Sequence, residues 1–272
     1  MSNECLVDRV KSIKALALKM VHHAKASHIG GSLSMVEILA ILYFEKMKVD
    51  PLNPKWANRD RLLLSKGHCC TSLYACLALK GFFPIEELDQ YGEDGTRLLA
   101  HASHHVPGVE FSTGSLGHAL PFAAGTALAA KRQSMSWHVF TILSDGELDE
   151  GSNWEAILFA GHHKLKNLTV IVDNNKIQSL GKTCDVLSLE PLEEKFRSFH
   201  WDVERIDGHD LDELRKSLDC NSTSERDVPK MIIADTTKGK GVDFMENRLD
   251  WHYKSPDDAE LHSALGLSLI HI

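Results

Sequence analysis

The chain has 272 residues, 43% hydrophobic and 25% charged, enough for one large α/β domain with a substantial core. Its formal net charge of -8 argues against general nucleic-acid binding, and no apolar run is long enough to span a bilayer. The start, MSNECLVDRVKS, has no basic segment followed by an apolar one and does not read as a secretory signal. Six scattered cysteines without a C-x-x-C pair fit reduced thiols in a cytoplasmic protein.

Residues 4–26 predict an amphipathic helix with Leu6, Val10, Ile13, Ala17 and Met20/Val21 on one face. Ser27 to Gly31 breaks it. Ser34 then reads as the N-cap of a second helix reaching to about Glu45, with Glu37 as its reciprocal partner three residues on. Pro51 to Pro54 marks a loop. Residues 61–64 form a short strand ending in Ser65-Lys66-Gly67-His68, and a helix follows over 71–80. Residues 81–116 are irregular, and 117–131 is an Ala-rich helix. A strand over 137–143, a helix over 152–163 capped by Ser152 or Asn153, and a strand over 168–172 make a βαβ unit with parallel strands. A helix near 191–199, a strand at 201–206, a helix near 210–219 and a strand at 230–235 continue the alternation. This order predicts a doubly wound, mainly parallel α/β sheet with helices on both faces, in a single domain over 1–272. Residues 236–272 read as a C-terminal extension of that domain, mostly loop with a short helix.

In such sheets ligands bind beyond the carboxyl ends of the strands. Asp145-Gly146 and Asn174-Asn175 fall there, each just past a strand. As isolated dipeptides they are ordinary turn sequences. With a helix of the right length between them, a carboxylate oxygen and an amide oxygen meet at adjacent strand ends, a hard donor pair suited to Mg²⁺. Gly146 would let the backbone approach a phosphate closely. Of the sixteen histidines, His28, His68, His101 and His252 stand in loops or after strands, and His28, His68 and His252 fit the ligand-bearing face. Imidazoles there could carry protons on and off sugar hydroxyls. His104, His105, His162 and His163 read as surface or packing residues. A zinc site at His101, His104 and His105 is a weaker alternative, since no cysteine or acidic ligand stands at helical spacing near them.

These motifs are recognisable together. SHIGGS, NRDRLLLSKGHCCTSLYA, PGVEFSTGSLGHAL, SDGELDEGSNWEA, DNNKIQSLG, DGHD and TTKGKG…WH occur in that order, and the chain from about residue 10 to 260 resembles the amino-terminal half of transketolase. The resemblance implies a Rossmann-like module binding thiamine diphosphate and Mg²⁺. It implies Asp145, Asn175 and the Ile177 carbonyl as metal ligands, and Gly146 against the diphosphate. His68 and His252 would lie at the cofactor, and Gly114, Ser115 and Leu116 against its rings. His28, His101 and His252 would handle the donor sugar. Glu150 and Glu155 would stand at the subunit contact and cofactor environment.

Ser144, Ile29 and Ala119 depart from the family's usual glycine, proline and glycine, which bears on the shape of the site and so on the substrate. Full transketolases continue into a pyrimidine-binding module and a third domain, which have no counterpart in these residues. The resemblance therefore implies the amino-terminal subunit of a split transketolase. It would transfer a two-carbon ketol unit between sugar phosphates or related sugars, pair with a separate carboxy-terminal subunit, and self-associate into a heterotetramer. The alternatives are a subunit of a 2-oxo acid dehydrogenase type enzyme, or a catalytically silent structural homologue.

Overall fold

The computed structural model describes residues 3–219 and 227–268. Its strands, in chain order, are β1 (Arg61–Leu64), β2 (Val139–Ser144), β3 (Leu168–Asn174), β4 (Ile177–Gln178), β5 (Gly181–Lys182), β6 (Asp202–Asp207) and β7 (Lys230–Asp235). Five of them form one sheet in the order β1-β2-β3-β7-β6, with every pair parallel. The two short strands β4 and β5 form an antiparallel hairpin of their own. The fold is the Rossmann-like α/β architecture expected from the alternation of elements.

The helices are α1 (Asn3–His23), α2 (Ile29–Leu33), α3 (Val36–Ile41), α4 (Cys70–Lys80), α5 (Ala119–Arg132), α6 (Gly151–His162), α7 (Thr183–Val186), α8 (Leu192–Ser198), α9 (Leu211–Ser217) and α10 (Asp258–Ser268). β3, lying centrally, is buried along its whole length, as its apolar run LTVIV requires of a strand covered on both sides. Successive side chains point to opposite faces. Ile142, Ile171 and Ile232 meet α1, α3, α4 and α9, whereas Leu143, Val170, Val172 and Ile233 meet α5, α6 and α8. A third cluster joins Ala17, Leu18 and Val21 of α1 and Ile29 and Leu33 of α2 to Val242, Trp251 and Ala264. That cluster seats residues 242–264 beside the start of α2.

The predicted stripe on α1 is buried throughout. Two predicted helix starts need correction. Ser34 does not cap: it has helical φ and ψ at the end of α2, and its hydroxyl donates to Asp173 Oδ2 at 2.6 Å, with the Gly31 carbonyl oxygen 3.0 Å away. Glu37 turns instead to Lys14 and His209. The S-x-x-E spacing is present, but both side chains find buried partners across the fold. Likewise α6 starts at Gly151 with Glu150 at the cap position. The Ser152 hydroxyl donates to the Gly117 carbonyl and Asn153 Nδ2 donates to the Glu147 carbonyl, both at 2.7 Å. Gly161, inside α6, is obligatory for packing, since a Cβ there would lie 1.9 Å from the Phe199 carbonyl oxygen.

Candidate active site

The carboxyl ends of β1, β2, β3 and β7 open onto one cavity of about 290 Å³. Register explains the convergence: Ser144 at the end of β2 stands beside Asp173 of β3, and Asn174 beside Asp235 of β7. Asp145, just past β2, and Asn175, just past β3, therefore come to neighbouring strand ends. Both are buried and both line the cavity. Asp145 Oδ1 accepts from Gly146 N at 2.8 Å, and Oδ2 accepts from Lys176 N. Burial, reinforced by the nearby Asp173 carboxylate, pushes the Asp145 carboxyl up to about 6. Asn175 Oδ1 accepts from Ile177 N at 3.2 Å, and the Ile177 carbonyl accepts from Lys238 Nζ at 2.9 Å.

Beneath them lies a buried pair that the sequence reading missed. Lys66, just past β1, donates to Asp173 Oδ2 and to the Gly31 carbonyl. Burial alone would lower the Lys66 ammonium, but Asp173 outweighs it and holds the group above its ordinary value. Burial would raise Asp173, yet Lys66 and bonds from Ser34 and Thr236 hold it low. Lys238 is the second cation, its Nζ 2.9 Å from His252 Nδ1. Burial lowers it to about 8. Glu147, also missed, is buried and accepts from Ser65 Oγ, Gly117 N and Ser144 N. It ties the loop after β1, the end of β2 and the start of the α5 segment together. Lys66 and Lys238 stand in polar motifs just after strands and Asp173 in the last two residues of β3, a signal that could have flagged them.

All four singled-out histidines meet here, including His101, which its place in the chain does not by itself assign to this face. The His28 ring centroid lies 5.1 Å from that of His68, 6.1 Å from His101 and 5.0 Å from His252. His28 takes a left-handed conformation (φ 72°) ahead of α2, and its N–H donates to the His252 carbonyl at 2.9 Å. The loop carrying His101 is drawn in by Thr113, whose hydroxyl donates to the Leu64 carbonyl at 2.7 Å. Gly67 is needed at that crossing, because a Cβ would lie 2.3 Å from Thr113 Oγ1. Burial, with neighbouring His101 and Lys238, lowers His28 to about 4. Burial and Lys238 lower His252 to about 3, and burial lowers His68 and His101 as well. At neutral pH the cluster presents neutral imidazoles, whose ring nitrogens can exchange hydrogen bonds with a ligand.

Gly114, Leu116, Gly146 and Ile177 line the same cavity, as do Gln178, Ser179 and Tyr253, which the sequence motifs do not assign. Ser115 is exposed between Gly114 and Leu116 and does not line it. Glu155 is exposed on α6 and Glu150 is exposed at its start, both outside the lining. The zinc alternative finds no arrangement. The His104 and His105 rings lie 4.2 Å apart, tilted by 36°, and line a separate cavity without His101. Among the described residues no group of three or more His, Cys, Asp and Glu side chains is disposed to hold a metal.

Comparison with known proteins agrees with this geometry. The family profile "Transketolase, thiamine diphosphate binding domain" matches residues 7–268. The chain belongs to this family. It is 46% identical over 241 residues to the 6-deoxy-6-sulfo-D-fructose transketolase subunit SqwG of Clostridium sp. (strain MSTE9), covering 88% of this chain and 87% of that protein. It is 39% identical over 249 residues to one of the subunits of the apulose-4-phosphate transketolase of Phocaeicola vulgatus, covering 91% and 88%. The Campylobacter jejuni transketolase structure superposes with a TM-score of 0.93 at 30% identity, over 100% of this chain and 44% of that one. The chain thus spans nearly all of the subunit-type relatives and less than half of a full-length transketolase. The residues lining the cavity fit such a cofactor. Two ammonium groups can meet an anionic diphosphate, and Gly146 has no room for a side chain, since a Cβ would lie 2.6 Å from Gln178 Cβ.

Proposed function

We propose that this chain is the diphosphate-binding subunit of a split transketolase that transfers a two-carbon ketol unit from a ketose to an aldose. The observation that carries the reading is the meeting of Asp145, Asn175, Ile177, Lys66, Lys238 and four neutral histidines in one cavity. Asp145, Asn175 Oδ1 and the Ile177 carbonyl are the residues that would hold Mg²⁺. One carboxylate with two neutral oxygens suits an ion that takes its remaining ligands from phosphate and water. Bound thiamine diphosphate supplies the carbon nucleophile that cleaves and remakes the sugar C–C bond; the chain binds, orients and moves protons. Gly146 lies against the diphosphate, and Lys238 offsets its charge. His28, His101 and His252, held neutral, accept and return protons at donor hydroxyls, while His68 shields the cofactor. Gly114 and Leu116 form the wall towards its rings, and Glu155 belongs to the subunit contact around it.

A partner chain is part of this proposal. Among the described residues no glutamate lines the cavity, so an activating carboxylate for the cofactor's pyrimidine would come from elsewhere. α5 and α6, which start beside the cavity, expose Phe122, stacked on Phe111 at 4.4 Å, and Leu158 and Phe159, an apolar surface of the kind partners cover. The names of the two relatives, both transketolase subunits, support a partner subunit; self-association into a heterotetramer is our own further expectation. Their named sugars favour a ketose donor with an anionic far end. A cytoplasmic location fits the free thiols of Cys69, Cys70, Cys76 and Cys184; among the described residues no helix is long and apolar enough to cross a membrane. The test is ketol transfer by this chain with Mg²⁺ and thiamine diphosphate, alone and with the chain encoded beside it. Activity only in the mixture, at a heteromeric mass, is expected; full activity alone would refute the split.

A further inference from the structure

Three polar side chains lie behind the cavity without lining it. Lys14 of α1 and Glu37 of α3 are 0% and 2% exposed, and Lys14 Nζ donates to Glu37 Oε1 at 2.7 Å. Glu37 Oε2 lies 3.3 Å from Nδ1 of His209, in the turn between β6 and α9. His209 Nε2 accepts from the backbone N–H of Thr237 at 2.8 Å, in the loop after β7. A backbone N–H can only donate, so Nε2 must present its lone pair. The ring proton then sits on Nδ1, aimed at Glu37. Burial would raise the Glu37 carboxyl, but Lys14 and His209 lower it to about 2, so it stays an acceptor.

Thr237 immediately precedes Lys238. The rest of that loop is tied to the site itself: Thr236 N donates to the Asn174 carbonyl at 3.2 Å, and Gly239 N donates to the Gly30 carbonyl at 2.9 Å. The bond to His209 reaches it from outside. If the three side chains served only to join α1 to α3, apolar residues of similar volume would serve as well. Apolar residues could not offer Thr237 an acceptor.

We propose that Lys14, Glu37 and His209 form a positioning relay that fixes the 236–239 loop and thereby aims the Lys238 ammonium at the cofactor. They are positioning residues and touch neither cofactor nor substrate. The consequence for the cofactor rests on the function proposed above; the fixing of the loop does not.

The experiment has three readouts. Imidazole ¹⁵N resonances of the unmodified chain at pH 7 should show His209 as the Nδ1–H tautomer; the Nε2–H tautomer or an imidazolium would overturn the relay. In His209→Phe, amide exchange at Thr237 to Gly239 should quicken by about tenfold or more relative to β3 amides, as local opening separates from global unfolding. His209→Gln, whose amide oxygen can accept from Thr237, should restore most of that protection. Equal protection in the Phe variant and the unmodified chain would overturn the proposal. Thiamine-diphosphate affinity of the assembled enzyme should fall about tenfold in His209→Phe and recover in His209→Gln, on the scale of lost supporting contacts. Unchanged affinity beside quickened exchange would overturn the aiming of Lys238. Failure of the unmodified assembly to bind the cofactor would refute the proposed function, with the first two readouts still deciding the relay.

Discussion

Lys66→Met should be among the most damaging single changes in the molecule. The Lys66 and Asp173 side chains are 1% and 0% exposed, so methionine fills the space but leaves a carboxylate without its cation. Ser34, Thr236 and Asn175 still donate to it. Breaking one side of a buried pair costs about 3–5 kcal/mol, which in a domain of this size lowers Tm by roughly 6–20 °C. The pH dependence gives a second check. With Lys66 present, Asp173 titrates below its ordinary range, so it contributes stability above about pH 4 that is lost in acid. Without Lys66, burial dominates and the sign reverses. The variant's deficit should then be greatest at pH 7 and shrink towards pH 4, as Asp173 is allowed to protonate. Lys66→Met/Asp173→Asn should recover part of the loss. Thermal unfolding by circular dichroism from pH 4 to 7 measures all of this. A deficit below about 1 kcal/mol at pH 7, the scale of a surface pair, would refute the reasoning.

Two further outcomes follow from other sites. His138, whose Nε2 lies 2.8 Å from Thr169 Oγ1, is lowered by burial to about 4. The unfolded chain therefore binds that proton first, and stability should fall by on the order of 2–3 kcal/mol between about pH 6.5 and 4; His138→Gln should flatten that part of a urea-midpoint profile. His28→Ala or His101→Ala should lower kcat/KM for the donor about a hundredfold with cofactor affinity largely kept. Equal loss of cofactor binding would move these histidines from the sugar to the cofactor or the scaffold.

Four of the sheet's five strands were legible as apolar runs closed by polar turns, and Asp145 and Asn175 were legible because strand ends are where ligands bind. His101 was harder to place from residues alone. Its loop has no periodicity, and what brings it inward is a bond from Thr113 to the Leu64 carbonyl. The Lys66–Asp173 pair joins positions 107 residues apart, a pairing no local pattern carries. Ser34 and Glu37 show the opposite failure, a local capping pattern overridden by distant partners in Asp173, Lys14 and His209. The β4–β5 hairpin, which places Gln178 at the cavity, is too short for alternation to reveal. The predicted helix near 210–219 ends at Ser217, and Cys220 lies outside the described residues.

The central claim is that Asp145 and its neighbours hold thiamine diphosphate through Mg²⁺, and a calorimetric titration tests it most directly. The cofactor is titrated into the assembled enzyme, unmodified and Asp145→Ala, with Mg²⁺ and with the metal chelated. Removing either the carboxylate or the metal should weaken binding by about ten- to a hundredfold, and the two losses should not add. Equal affinity in all four titrations would contradict the account.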